Sequence, residues 1–258
     1  MIDPRGNRFE DFFADDAYVV LKNFLYNYLL RKRAIRKCLL GLGKGLTLEI
    51  GSGLSPTVSK SEDVVYSELS FSAIRTLKER QGAGYFVVAD AAHLPFKNAS
   101  ISRVVCSEVV EHLPDDRPAF REMAAVLQAG GSLILTFPHR RDYFAGDDRF
   151  VNHYRRYELG EMERRLREVG LNPVEIRKLL GPLEKVTMML ITCVISRFQR
   201  TGDHRVQNEN PTATERIFLF VFKWVNRLYC LPVLFDNWAA PRFLSAVLLI
   251  RAVKLVKM

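Results

Sequence analysis

Leu46-Thr47-Leu48-Glu49-Ile50 runs straight into Gly51-Ser52-Gly53, an apolar β-type segment that ends in an acidic residue and a Gly-x-Gly turn. Glycine at such a turn lets the backbone take positive φ and come close to a ligand. A dinucleotide-binding turn would continue to a third glycine and aim a helix N-terminus at a pyrophosphate. Here the third position is Pro56, which has no N–H to offer and fixes its own φ. The ligand held by this turn therefore need not carry phosphate.

Three more β-like runs follow. Val64–Ser67 ends in Glu68, Gly84–Ala89 ends in Asp90, and Ile101–Val105 ends in Cys106-Ser107-Glu108. A carboxylate closing the second strand of a βαβ unit is placed to bind a ribose diol. Four successive strands thus carry small or acidic groups at their carboxyl ends, the edge where open α/β sheets bind ligands.

With these segments in hand, the sequence resembles the class I S-adenosylmethionine-dependent methyltransferases, in particular the small-molecule, type 11-like branch. The segments are LEIGSGLSP, VVYSELS, VVADAAHLPF, VVCSEVVEHLPD and REMAAVLQAGGSLILTFP, in the family's order over Leu46 to Pro138. The resemblance implies a Rossmann-like α/β fold: a seven-stranded, mostly parallel sheet with helices on both faces. It implies S-adenosylmethionine as cofactor. Glu49, Gly51, Ser52 and Gly53 would surround its methionine part. Glu68 would hold the ribose hydroxyls, Leu69 would pack on the adenine, and Asp90 would accept from the adenine amino group beside the Ala91 backbone. Cys106, Ser107 and Glu108 would close the pocket near the sulfonium. Asp90 also reads as a turn cap, and Cys106 as plain core. Glu68 stands where the family more often has aspartate, which keeps the chemistry but lengthens the reach.

Many O-methyltransferases deprotonate a hydroxyl with a histidine or carboxylate near the methyl group. His112, in Val110-Glu111-His112-Leu113-Pro114, His139, directly after the fifth strand, and His153, beside Arg155 and Arg156, are the catalytic candidates. His112 reads more readily as a residue that organises structure, and His153 reads also as a surface loop.

The rest of the chain frames this core. Phe12, Phe13, Tyr18, Val19, Leu21, Phe24, Leu25, Tyr28 and Leu29 recur at helical spacing, so residues 1–45 read as a helical leader that ends in a basic run, Arg31–Lys37. Residues 46–180 form the cofactor-binding core. Helices are expected over 72–80, 117–127 and 158–169, with strands over 132–137 and 172–177, and Ala246–Val253 supplies the last strand, expected to be antiparallel. That leaves 181–241 as a helical insertion before the last strand and 242–258 as the final strand region of one domain. The insertion holds an apolar run, Val186–Ser196, too short for the roughly 20 residues of a bilayer span. After a polar stretch, Thr201–Thr214, a second apolar run begins at Ile217, in which Arg216, Lys223 and Arg227 share one face opposite Phe and Trp224. Such a helix fits the surface of a membrane or an extra bundle packed on the sheet or on a partner, and its spacing leaves both open.

Charge sharpens the point. The chain carries +9, yet residues 48–180 hold 18 Lys and Arg against 19 Asp and Glu. The excess sits in residues 1–47 (nine against five) and 181–258 (eleven against five). Basic flanks suit an anionic acceptor or an anionic membrane surface. Four scattered cysteines, with no C-x-x-C and no spaced histidine pair, argue against a disulfide framework and a zinc site, so no metal is expected. Without a secretory-type apolar start the expectation is a cytoplasmic protein, with contact at the inner membrane face left open.

These readings converge on methyl transfer to a small-molecule or lipid-linked acceptor, at oxygen. The alternatives are an RNA methyltransferase and a non-catalytic scaffold of the same fold docking at the membrane surface. Nucleic acid is disfavoured as partner. Cys106-Ser107-Glu108-Val109 stands where base-amino methyltransferases carry Asn/Asp-Pro-Pro-aromatic, and no RNA-binding module is recognisable.

Overall fold

The computed structural model describes residues 23–199 and 213–255. In chain order these form α1 (Tyr26–Leu40), β1 (Thr47–Ile50), β2 (Val64–Glu68), α2 (Phe71–Gln81), β3 (Tyr85–Val88), β4 (Ile101–Ser107), α3 (Arg117–Val126) and β5 (Leu127–Pro138). There follow α4 (Gly146–Phe150), α5 (Leu159–Glu168), β6 (Leu171–Leu180), α6 (Pro182–Gln199), α7 (Ala213–Ala239) and β7 (Val247–Lys254).

The strands make one sheet in the order β3-β2-β1-β4-β5-β7-β6. Pairings from β3 across to β5 are parallel, and β7 lies antiparallel between β5 and β6. This is the seven-stranded, mostly parallel sheet that the resemblance implied. The chain leaves β1 in one direction toward β2 and β3 and later returns to its other side as β4. That reversal opens a crevice at the carboxyl ends of β1 and β4.

Period-two alternation builds a core on each face of the sheet. Leu48, Val104, Cys106, Leu133, Leu135, Leu248 and Ile250 pack with α3 and α5, through Phe120, Met123, Met162 and Leu166. Val64, Tyr66, Val105, Ile134 and Leu249 face the other way, against Ile35 and Cys38 of α1, Ile74 and Leu77 of α2, and Val233 of α7. Helix α2 is closed at both ends. Ser70 accepts from Ala73 N at 3.2 Å, and Gly82 takes a left-handed φ of 66°. A side-chain cap of this kind contributes about 1 kcal/mol.

β1 and β2 are joined by irregular chain that Glu49 and Tyr28 pin: the Tyr28 hydroxyl donates to the Pro56 carbonyl at 2.8 Å. The structure departs from the sequence reading in three places. β5 begins at Leu127, so Gly130 and Gly131 lie inside the strand, where pairing with β4 shifts register between Ile101 and Arg103. β6 runs on to Leu180. Helix α7 is a single 27-residue element that runs through Pro232. Of the expected leader helix, Phe12 to Leu21 lie outside the described residues. α1 instead takes in the basic run Arg31–Lys37.

Candidate active site

A cavity of about 300 Å³ opens at the carboxyl edge of β1, β2 and β4. Its near rim is the glycine turn. Gly51 sits at φ 68° with its N–H donated to the Ser67 carbonyl at 2.9 Å, and a Cβ there would be driven into the Cγ2 of Val109. Only glycine fits, for reasons of both φ and space. Ser52, Gly53, Leu69, Ala91 and Asp90 continue this rim. One Asp90 oxygen accepts from Ala92 N at 2.9 Å, and the other faces His93 Nδ1 at 3.2 Å.

Glu68 is buried, and its carboxylate accepts from Gly53 N at 2.9 Å, Leu69 N at 2.8 Å and Ser70 N at 3.4 Å. These bonds lash the end of β2 to the glycine turn. A carboxylate has about four acceptor positions, so holding a diol with both oxygens requires one of these amides to yield. Glu49 also lines the cavity, but its carboxylate is committed to the loop beyond the turn. It accepts from Thr57 N and Oγ1, both at 2.6 Å, and from Val58 N at 3.1 Å. Burial pushes its pKa up to about 7, against the opposing pull of those donors and of Lys32. Its visible work is to set the loop that shapes the cavity.

Ser107 and Glu108 close the floor. Ser107 Oγ lies 2.9 Å from Thr136 Oγ1, which donates to Glu108 at 3.0 Å, and Glu108 pairs with Arg31 of α1 at 3.4 Å. Glu108 holds φ at 54°, a strained setting for a residue with a side chain. Cys106 does not line the cavity. Strand alternation turns it into the core beside Val104, and burial raises its thiol pKa.

The far wall is charged and comes from three separate segments. Asp148 of α4 accepts from His153 Nδ1 at 3.0 Å, Arg156 Nε at 2.7 Å, Lys185 Nζ at 2.8 Å and Ala145 N at 3.0 Å. Lys185 of α6 also donates to both oxygens of Asp147, at 2.6 and 2.8 Å. Burial alone would raise the Asp148 pKa, but the His153 hydrogen bond and the charges of Arg156 and Lys185 hold it well below the usual carboxylate range. His153 lines the cavity with its ring edge-on to His112, centroids 4.7 Å apart. Its Nε2 lies 3.8 Å from Glu111, whose fully buried carboxyl is raised by burial and by the charge of Glu108.

Of the three candidate histidines, His112 and His153 meet in this cavity and His139 does not. His139 is buried with Nδ1 against the Ser245 carbonyl at 2.9 Å, and it faces a separate pocket with Glu158 and Arg140. Its backbone N–H donates to the carbonyl of Ala246, just before β7, and its ring does not line the cavity. Sequence reasoning did not place Tyr28, Arg31, Asp147, Asp148 or Lys185 at the site, and it had Arg156 only as a cation beside His153. No spacing links the pairs Tyr28/Arg31 and Asp147/Asp148 to each other or to Arg156 and Lys185. Only the fold brings them together.

Residues 40–135 match the family model described as "Methyltransferase domain". Over those residues the chain carries a methyltransferase domain of the class I S-adenosylmethionine-dependent type. Over 113 residues, 44% of its length, the chain is 29% identical to a Mycobacterium tuberculosis H37Rv protein named "Probable S-adenosylmethionine-dependent methyltransferase". Over 99 residues it is 31% identical to a demethylmenaquinone methyltransferase of Paenarthrobacter aurescens. The matched stretches span about two fifths of those relatives' own length, 41% and 39%. The fold extends further than the sequence likeness. Phosphoethanolamine N-methyltransferase 2 of Haemonchus contortus, solved with S-adenosylmethionine, superposes with a TM-score of 0.58 at 18% identity, over 96% of this chain and 60% of that one.

The methyltransferase-domain match over residues 40–135 points to S-adenosylmethionine as cofactor, and the cavity has the features to take it. The glycine turn leaves room where any Cβ would intrude. Glu68 and Asp90 stand side by side on adjacent strand ends, where β2 pairs with β3 and the chain continues past Val88. Among the described residues no helix is long and apolar enough to cross a membrane.

Proposed function

We propose that this chain transfers a methyl group from S-adenosylmethionine to a hydroxyl oxygen of a small-molecule or lipid-linked acceptor. One observation carries the reading: the Asp148–His153 pair and the Gly51–Glu68–Asp90 rim line a single cavity. The cofactor supplies a methyl carbon already activated on a positive sulfur, so holding the partners in line accounts for much of the rate.

The protein's part is then position and proton. Gly51, Ser52 and Gly53 would cradle the methionine part, Glu68 the ribose, and Leu69, Asp90 and Ala91 the adenine. Asp148 stays ionised and accepts a hydrogen bond from the Nδ1–H of His153, which leaves Nε2 as the acceptor for the hydroxyl proton. Burial and the charge of Glu108 push the Glu111 carboxyl up, which disfavours a second anion beside Nε2. Leu25, Leu180, Met188 and Val247 also line the cavity and give an acceptor's apolar part a wall.

The test is transfer of tritiated methyl into fractionated cell extract, with the aqueous and lipid phases counted separately. Label is expected in a small-molecule or lipid fraction. His153→Ala is expected to lower kcat by about 10²- to 10⁴-fold with cofactor affinity, measured by calorimetry, unchanged. Label in RNA, or cofactor binding with no transfer to any fraction, would overturn the proposal.

A further inference from the structure

Helix α7 is inside out. Its inward side packs Val233 in the core but is otherwise anchored by polar groups: Asn226 Oδ1 accepts from Tyr26 N at 3.3 Å, the Tyr229 hydroxyl lies 2.6 Å from Thr187 Oγ1, Asp236 accepts from Leu183 N at 3.0 Å, and Asn237 donates to the Lys178 carbonyl at 3.2 Å. Its outward side is apolar. Phe220, Trp224, Leu228, Leu231, Phe235 and Trp238 recur every three or four residues and are all exposed, Trp238 at 76%. They form a stripe about 27 Å long at 1.5 Å per residue. Helix α5 shows the usual arrangement, with Met162 and Leu166 buried and Arg167 exposed. An outward stripe of this size on a packed helix marks a surface that is covered in use.

Charge says what covers it. Arg227 is exposed on α7 itself, Arg242 is exposed just past the end of the helix, Arg33 of α1 lies close enough to Cys230 of α7 to act on its thiol, and Lys223 lies over the Phe24 ring at 4.2 Å. Among the described side chains of α7 the one acidic group is Asp236, which is turned inward to Leu183 N. A second copy docked here by a two-fold axis would bring these cations against their own images. Anionic lipid headgroups would neutralise them while the acyl boundary takes the rings. Tryptophan beside a basic rim is what the membrane interface favours. Helix α6 links the surface to the cavity: Glu184, Lys185 and Met188 line the cavity, while Val186, Met189 and Leu190 are exposed.

We propose that the outward face of α7 is a docking surface for an anionic lipid bilayer, lying in the headgroup region parallel to the membrane. It stands apart from the methyl-transfer reading, since no residue of the stripe lines the cavity. Seated this way, the cavity lies one helix, α6, from the lipid.

The chain has two tryptophans, and both lie on this stripe, so intrinsic fluorescence reports on it directly. The full chain is titrated with vesicles of phosphatidylcholine alone and of phosphatidylcholine and phosphatidylglycerol in equal parts. The expected result is a blue shift and co-sedimentation with the anionic vesicles, tighter by on the order of tenfold or more than with the neutral ones, and weakening as salt rises. Leu228→Glu with Phe235→Glu should weaken binding by on the order of a hundredfold, with circular dichroism and cofactor affinity unchanged. Lys223→Glu with Arg227→Glu should weaken it by on the order of tenfold. A blue shift that grows with protein concentration in the absence of lipid, together with a dimer in sedimentation, would overturn the proposal in favour of a second copy. Unchanged emission, or equal binding to both vesicles, would overturn it outright.

Discussion

Two buried carboxylates in this protein look alike and sit in different places. Asp148 gathers His153, Arg156 and Lys185, and Asp116 gathers Tyr157, Arg155 and Arg165. Both are almost wholly inaccessible to solvent. The Asp116 partners close on themselves: the Tyr157 hydroxyl donates to it at 2.6 Å, its pKa raised by burial and by that bond, and Tyr157 packs edge-on against Phe137 in the core. The Asp148 partners line the cavity. A buried, paired charge is therefore no sign of function by itself. What separates the two is whether a partner keeps a reactive atom turned toward space that a ligand can enter.

Removing each carboxylate puts the contrast at risk, with the largest effects expected. Breaking a buried ion network leaves charges unpaired and costs about 3–5 kcal/mol. Asp148→Ala and Asp116→Ala should both lose stability of that order in denaturant unfolding. They should part in catalysis. Per folded molecule, Asp116→Ala should keep its methyl-transfer rate, whereas Asp148→Ala should lose about 10²- to 10⁴-fold as His153 loses its orienting partner. Equal rates in the two variants would dissolve the distinction.

The rim offers a milder test. Glu68→Ala removes a buried acceptor from three backbone amides, and a hydrogen bond to a charged group is worth about 1.5–3 kcal/mol. Cofactor affinity should fall about 10- to 100-fold by calorimetry, with the rate at saturating cofactor little changed. An effect on rate alone would place Glu68 with Asp148 rather than with the rim.

The rim was legible in the sequence and the far wall was not, for a physical reason. Gly51, Gly53, Glu68 and Asp90 each follow an apolar run directly, so strand, turn and side chain are specified by neighbours a few residues apart. Asp147, Asp148, Arg156 and Lys185 meet only because α4, the chain after it and α6 converge, and nothing local announces that. The parity of β4 decided Cys106, since a residue one step along a strand points to the other side. For α7 the spacing showed two unlike faces but not which one turns inward. The polar partners that settle it, Tyr26, Lys178, Leu183 and Thr187, come from α1, β6 and α6.

Acidity distinguishes Asp148 from the rim's own buried carboxylate, Glu49, because their shifts run in opposite directions. Asp148 is held below its ordinary 3.8, so it contributes stability that is present above that pH and lost as pH falls beneath it. Glu49 is raised from 4.5 to about 7, so between those values the folded chain keeps a proton that the unfolded chain has released. Its contribution therefore declines as pH rises through that window, by at most about 1.4 kcal/mol per pH unit. Unfolding free energies measured against pH should show both limbs. Asp148→Asn should flatten the acid limb and leave the other, and Glu49→Gln should flatten the limb between pH 4.5 and 7. A Glu49→Gln profile as steep as the parent's would mean that the loop donors Thr57 and Val58, rather than burial, govern that carboxyl, and that it stays charged beside the cavity.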